Sequence, residues 1–163
     1  MNLPLPGVVL AAAMALQTRV SPPPAQTTVD TPHLTLTTSA SAASVAPGSR
    51  VSLFVEVVPK PKMHVYAPEQ KAYLPVSLRL EPSPGVTARL PIFPKGESFF
   101  FAPTSETQIV YSHPFRIEVP VTVARGRPAG PLSLTGTLQY QACDDTVCYV
   151  PRKVSITWKL NLQ

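Results

Sequence analysis

Phe115-Arg116-Ile117-Glu118-Val119-Pro120-Val121-Thr122-Val123 is the stretch that decides the fold. Phe115, Ile117, Val119, Val121 and Val123 occupy every second position, with polar residues or proline between them. Period two gathers the apolar set on one side of a pleated strand, whereas a helix would scatter it around the axis. The pattern repeats outward. Upstream it is carried by Val51, Leu53, Val55 and Val57, then Val76, Leu78 and Leu80, then Val86, Ala88 and Leu90. Downstream it returns in Leu132, Leu134, Leu138 and Tyr140, and in Val154, Ile156, Trp158, Leu160 and Leu162, where Trp158 reads as core. Turn signals separate the runs: Ala46-Pro47-Gly48-Ser49, Pro82-Ser83-Pro84-Gly85 and Arg125-Gly126-Arg127-Pro128-Ala129-Gly130. Seven or more short strands with one apolar face each predict an all-β, immunoglobulin-like antiparallel β-sandwich in a single domain, its two sheets packed face to face. A jelly roll or small barrel is the alternative.

Composition agrees. The chain has 163 residues, enough for one domain with a real core and a short extra segment. Its 21 prolines argue against long helices, since each removes an N–H and clashes with the preceding turn. The net charge is +5, but Arg50, Lys60, Lys62, Lys71, Arg79, Arg89, Lys95 and Arg116 form no run or stripe. A nucleic-acid partner is therefore not expected; a monomer without a cofactor is. Leu3 to Leu16 is apolar but, at about 14 residues with two prolines, short for a membrane span. It fits the core of a secretory signal, with Ala13-Met14-Ala15 as a small-x-small cleavage site, although no Lys or Arg precedes it. The expected layout is a signal peptide at 1–16, a Pro/Thr-rich linker at 17–30 and the domain at 31–163. Export to the periplasm, or to another oxidising compartment, would close a cysteine pair into a disulfide.

The two cysteines lie in Tyr140-Gln141-Ala142-Cys143-Asp144-Asp145-Thr146-Val147-Cys148-Tyr149-Val150-Pro151, four residues apart. As a staple, so small a ring contributes only roughly 2 kcal/mol by loop entropy, which a domain of ~130 residues does not need. As a metal site, a lone C-x4-C lacks the second Cys/His pair of four-ligand zinc, and His33, His64 and His113 are dispersed. Met63-His64 could join a thiolate around copper, but nothing in the spacing requires a metal. As a redox pair, a disulfide at a hairpin tip is open to an incoming thiolate, and strain in the small ring would ease its reduction. Asp144 and Asp145 disfavour a low-pKa attacking thiol, which suits a disulfide that is attacked and relays electrons. Register adds a constraint. Cys143 opposite Cys148 pairs an odd position with an even one, while the apolar residues of both flanking strands are even-numbered. Opposed residues share a face, so a bulge must intervene, with Pro151 as its expected place.

The cysteine block resembles the Y-Q-x-C…C-Y-x-P signature of the N-terminal periplasmic domain of the DsbD family of thiol:disulfide interchange proteins. Lys62-Met63-His64-Val65-Tyr66 resembles that family's aromatic strand, Leu74-Pro75-Val76 a following Pro-containing strand, and Val119-Pro120-Val121-Thr122-Val123 the strand leading to the hairpin. The resemblance spans roughly Thr31 to Leu162, and only the cysteine block is highly specific. It implies an immunoglobulin-like domain that exchanges electrons through Cys143 and Cys148 with periplasmic thioredoxin-like proteins, as a component of protein-disulfide reduction. Two departures stand out. The cysteine spacing is one residue shorter than in the best-known members, and the chain ends at Gln163, before the family's membrane and thioredoxin-like domains. A separate membrane or soluble electron donor is therefore expected. The alternative is a non-enzymatic exported module, binding a protein or copper, with a structural disulfide.

The resemblance also implies a cap loop at Phe99, Phe100 and Phe101, one ring covering the disulfide until a partner docks. The plainer reading is an edge strand that buries two of the three rings. His64 and Tyr66, on one face of their strand, would line the site, with His64 supplying a proton or positive charge near Cys143; a partly exposed surface histidine is the plainer reading. Tyr140 and Tyr149 flank the cysteines and would shape the contact surface, or simply pack in their strands. Glu97 is a candidate for proton transfer. Cys143 is favoured over Cys148 for the mixed disulfide.

Overall fold

The computed structural model describes residues 23–163, so the signal segment and the first part of the linker lie outside the described residues. Thirteen strands follow one another: β1 (Thr27–Asp30), β2 (Leu34–Ala40), β3 (Ser44–Val45), β4 (Arg50–Pro59), β5 (His64–Tyr66), β6 (Ser77–Leu80), β7 (Val86–Ala88), β8 (Glu97–Phe101), β9 (Glu106–Tyr111), β10 (Phe115–Val123), β11 (Gly130–Tyr140), β12 (Ala142–Cys143) and β13 (Arg152–Leu162). No described residue is helical. The first sheet runs β1-β2-β4-β10-β7 and the second β3-β13-β11-β6. Every pairing in them is antiparallel except β13 with β3. The predicted apolar faces of β4, β10, β11 and β13 meet between these sheets in one core. This is the immunoglobulin-like sandwich.

Two hydrogen bonds tie the layers at the core. The Trp158 Nε1–H donates to the Phe54 carbonyl at 2.9 Å, and the Thr38 hydroxyl donates to the Thr157 carbonyl at 2.6 Å. The indole has room because Gly136 interrupts the apolar row of β11. A Cβ at that position would come within 3.0 Å of both the Trp158 ring and the Arg79 carbonyl.

The chain departs from a plain two-sheet sandwich at one end. A third antiparallel sheet, β12-β5-β9-β8, is built there. One of its faces, carrying Val65, Tyr111 and Ala142, joins the main core. The other carries Tyr66, Val110 and Cys143, with Phe99 and Tyr73 packed against them, as a separate small cluster. Both faces of β5 are thus covered, and all three of its residues are buried.

Two sequence readings change. Thr27–Asp30, inside the expected linker, pairs with β2 as an edge strand. The alternation of Val86, Ala88 and Leu90 does not mark a buried face: Ala88 is exposed and Leu90 is 87% exposed. β7 is the last strand of its sheet and pairs only with the end of β10, so no second layer reaches its far end.

The register break stands where parity placed it. β11 and β13 pair in even register as far as Tyr140 opposite Arg152, and Cys143 then pairs with Cys148, one step out of phase. The extra residue lies in Tyr149–Pro151, where Pro151 cannot donate to a ladder. Gly136→Ala overpacks the notch beneath Trp158 and should destabilise the domain by about 1–3 kcal/mol. Urea unfolding checks this; an unchanged midpoint would mean that the indole moves aside freely.

Candidate functional site

The cysteines are set by a turn that Asp144 organises. Its Oδ1 accepts from the Thr146 N–H, the Thr146 hydroxyl and the Val147 N–H, each at 2.8 Å, and its Oδ2 accepts from the Tyr149 hydroxyl at 2.7 Å. The Asp144 N–H closes the turn onto the Val147 carbonyl at 2.9 Å. This is the side-chain-to-backbone bonding that makes Asp a turn former. The Tyr149 hydroxyl first, then the Val147 and Thr146 amides, hold the Asp144 carboxyl well below the usual carboxylate range. The same bond to Asp144 raises the Tyr149 phenol. Asp144 thus spends its charge within the turn, while Asp145 is exposed beside it.

The turn closes the Cys143–Cys148 disulfide, with Cα atoms 4.0 Å apart. Its two halves lie in different surroundings. Cys143, in β12, is 0% exposed, whereas Cys148, at the hairpin tip, is exposed. The cysteine favoured from sequence for partner attack, Cys143, is therefore the inaccessible one. Tyr66 OH lies 3.2 Å from both sulfurs. A disulfide has no proton to give, so the phenol is the donor, shared between the two. Burial, and then the neighbouring Tyr73 and Glu106, push the Tyr66 phenol up to about 12, which keeps it a donor at neutral pH.

An aromatic layer covers the buried half. Tyr73 stacks on Tyr66 with ring centroids 4.7 Å apart and planes 7° apart, and its hydroxyl bonds Glu106. Thr104 donates to the same Glu106 carboxylate at 3.1 Å. Phe99 belongs to the cluster of Cys143 and Tyr66, and its ring centroid lies 4.4 Å from that of His64. The three Phe residues stand on β8, the edge strand of the third sheet, joined to β9 by the Ala102–Ser105 turn. Alternation turns Phe99 and Phe101 inward and leaves Phe100 63% exposed. The segment is an edge strand that buries Phe101 and half-buries Phe99 against the cysteine cluster.

His64 is 1% exposed, not a surface residue, and stands directly opposite Cys143 across the β5–β12 ladder. Burial lowers its pKa, partly offset by Asp145 and Asp144. Tyr140 is fully buried, with its hydroxyl 3.0 Å from that of Thr31, so it packs beneath the site and offers no contact surface. Tyr149 is half-buried and lies against His33 at a centroid distance of 4.6 Å. Glu97 is turned away, accepting from the Ser112 amide at 2.9 Å and pairing with His113. Among the described residues no three metal-ligating side chains converge. Tyr73, Gln108 and Glu106 escaped the sequence reading. Tyr73 sits in an irregular segment without periodicity, and Gln108 is a polar residue that the Phe99 pairing buries.

A β-sandwich that presents one sulfur of a disulfide at a hairpin tip and buries the other under aromatic rings has the construction of a thiol–disulfide exchange module. The chain belongs to the family described as "Thiol:disulfide interchange protein DsbD, N-terminal", whose sequence model matches residues 31–159. In fold it is similar to the N-terminal periplasmic domain of ScsB from Proteus mirabilis, at a TM-score of 0.54 and 12% identity over 82% of this chain and 51% of that one. The chain thus spans about half the length of that structure. The reduced N-terminal domain of Neisseria meningitidis DsbD aligns over 68% of this chain and 78% of its own, at 23% identity and a TM-score of 0.45. Comparison with curated proteins finds no match.

Because the folded Asp144 carboxyl titrates below its unfolded value, its stabilising contribution is complete above the ordinary Asp value of about 3.9. It is given up as acid carries the pH down through Asp144's own lower value. The amide shifts of Thr146 and Val147 should follow that lower value in an NMR titration. A midpoint at the ordinary carboxylate value would show that the turn does not hold the charge.

Proposed function

We propose that this protein is an exported thiol–disulfide exchange module that relays electrons through Cys143 and Cys148 to or from thioredoxin-like partners, as a monomeric component of protein-disulfide reduction. The difference in exposure between the two sulfurs carries this reading. A partner thiolate can reach only the exposed Cys148 Sγ. Attack there forms the mixed disulfide, breaks the Cys143–Cys148 bond and sends its electron pair to Cys143. The charge appearing on Cys143 is met by the Tyr66 hydroxyl, already in place at 3.2 Å. A donor aimed at developing charge in a buried site stabilises it without reorganisation. The partner's second thiol then displaces Cys148, leaving the partner oxidised and this pair reduced by two electrons. Running the steps backward passes the electrons on.

Phe99 supports the second element, a cover. With Tyr66 and Tyr73 it shields the inner sulfur, and its edge strand can move outward when a partner docks. Exposed Val147, next to Cys148 in the hairpin tip, offers apolar surface for that docking. Periplasmic location and a separate membrane or soluble electron donor complete the proposal.

Cys143→Ser should accumulate a mixed disulfide with a thioredoxin-like protein through Cys148, whereas Cys148→Ser should trap none; mass spectrometry distinguishes the two. Trapping through Cys143 alone would overturn the assignment of the attacked sulfur. A redox titration against glutathione tests the function itself, since reduction only below about −300 mV would mark a structural bond. Phe99→Ala should raise the rate of reduction by glutathione about tenfold or more while leaving the fold intact, read by thiol trapping beside a thermal melt. An unchanged rate would deny Phe99 its covering role.

A further inference from the structure

We propose that His64 is the base that takes the Cys143 proton when the reduced pair resolves a mixed disulfide, an inference that rests on the exchange reading above. The observation behind it is a buried nitrogen without employment. His64 Nε2 is inaccessible and has no hydrogen-bond partner among the described residues. Burying such a group unpaired is costly and calls for an explanation. His64 stands opposite Cys143 in the β5–β12 ladder. Opposed residues of an antiparallel pair share a face, with Cβ atoms roughly 5 Å apart. A Cys143 thiol, present only in the reduced state, is therefore a neighbour that can use this nitrogen.

The other titratable groups around the cluster are committed elsewhere. On β5, Tyr66 is a donor whose phenol is pushed up to about 12. In the hairpin, Asp144 is saturated by its turn, and Asp145 is exposed to solvent. On β9, Glu106 is held by Tyr73 and Thr104, and on β8 Glu97 is held by Ser112 and His113. Phe99 and Phe101, also on β8, bring rings and no charge to His64. Burial keeps the imidazole neutral beside the disulfide, so it is ready to accept. Once it is protonated, the negative charges of Asp144 and Asp145 favour the imidazolium.

The step balances. In the mixed disulfide Cys148 Sγ is bonded to the partner's sulfur and Cys143 is a thiol. Cys143 passes its proton to His64, and its sulfur attacks Cys148 Sγ. The bond to the partner breaks, and its electron pair leaves on the partner's sulfur as a thiolate. The Cys143–Cys148 disulfide is restored, and the imidazolium, buried and no longer beside a Cys143 thiolate, returns its proton to solvent or to the departing thiolate. In the opposite direction His64 first takes up the proton that the attacking thiol releases and then passes it to Cys143 as it leaves.

Two measurements on the full chain test this. In NMR titrations of the wild-type protein, His64 should protonate about tenfold less readily in the reduced state than in the oxidised state, because only the reduced state offers a Cys143 thiol whose hydrogen bond to Nε2 favours the neutral imidazole. Identical titration in the two states would overturn the proposal. His64→Phe keeps a ring against Phe99. When reduced protein reacts with oxidised glutathione, it should hold the glutathione mixed disulfide about 100-fold longer than wild type, in acid-quenched samples read by mass spectrometry. Release at the wild-type rate would also overturn it. Failure of the exchange reading shows separately, as a wild-type pair that a thioredoxin-like dithiol does not reduce at all.

Discussion

Tyr140 faces Arg152 across the β11–β13 ladder, and Cys143 then faces Cys148 one step out of phase. Everything particular to the site depends on that extra residue. Without the break, β11 and β13 would run on as a regular hairpin of the second sheet. With it, the chain leaves that sheet at Gln141, and Ala142 and Cys143 pair with β5 instead. A one-residue slip exchanges the faces of a strand. Here the extra residue lies on the β13 side: Ala142 keeps the phase of β11 and stays in the main core, while Cys148 is brought opposite Cys143 on the other face, where Tyr66 meets both sulfurs.

The third sheet gives the disulfide two unlike ends. The hairpin tip is held by polar bonds to Asp144, which tolerate water and keep Cys148 outside. The base of the hairpin is held by a ladder and by aromatic rings, which exclude water from Cys143. In low-dielectric surroundings a well-placed donor counts for more and a bare charge costs more. Tyr66 therefore has the largest influence on how the inner sulfur bears charge, and the exposed sulfur decides where a partner can begin. Stability is left to the main sandwich, where the Trp158 and Thr38 bonds and the large core lie away from the reactive end.

Legibility differed from residue to residue for physical reasons. The faces of β4, β10, β11 and β13 could be read because their neighbours cover them on one side only, which is what alternation records. The register break could be read because parity is local. Leu90 misled because alternation cannot say whether a second layer reaches an edge strand. For His64 the resemblance gave the place beside Cys143 but not the burial, since a single polar residue on a three-residue strand carries no sign that a further sheet will bury it. The Phe triplet allowed both a cover and an edge strand, and the pairing of β8 with β9 makes those descriptions compatible.

By itself, then, the sequence determined the β class, the apolar faces of the long strands, the cysteine spacing and the need for a break near Pro151. These are properties of neighbouring residues and of the period of the chain. Tertiary structure alone decided which sulfur meets solvent, which ring lies over the other, that His64 is buried and that Tyr73 belongs to the site at all. The reason is that burial is conferred from outside. Residues far apart in sequence, from β5, β8, β9 and β12, have to converge before any one of them is buried, and no local pattern announces that meeting.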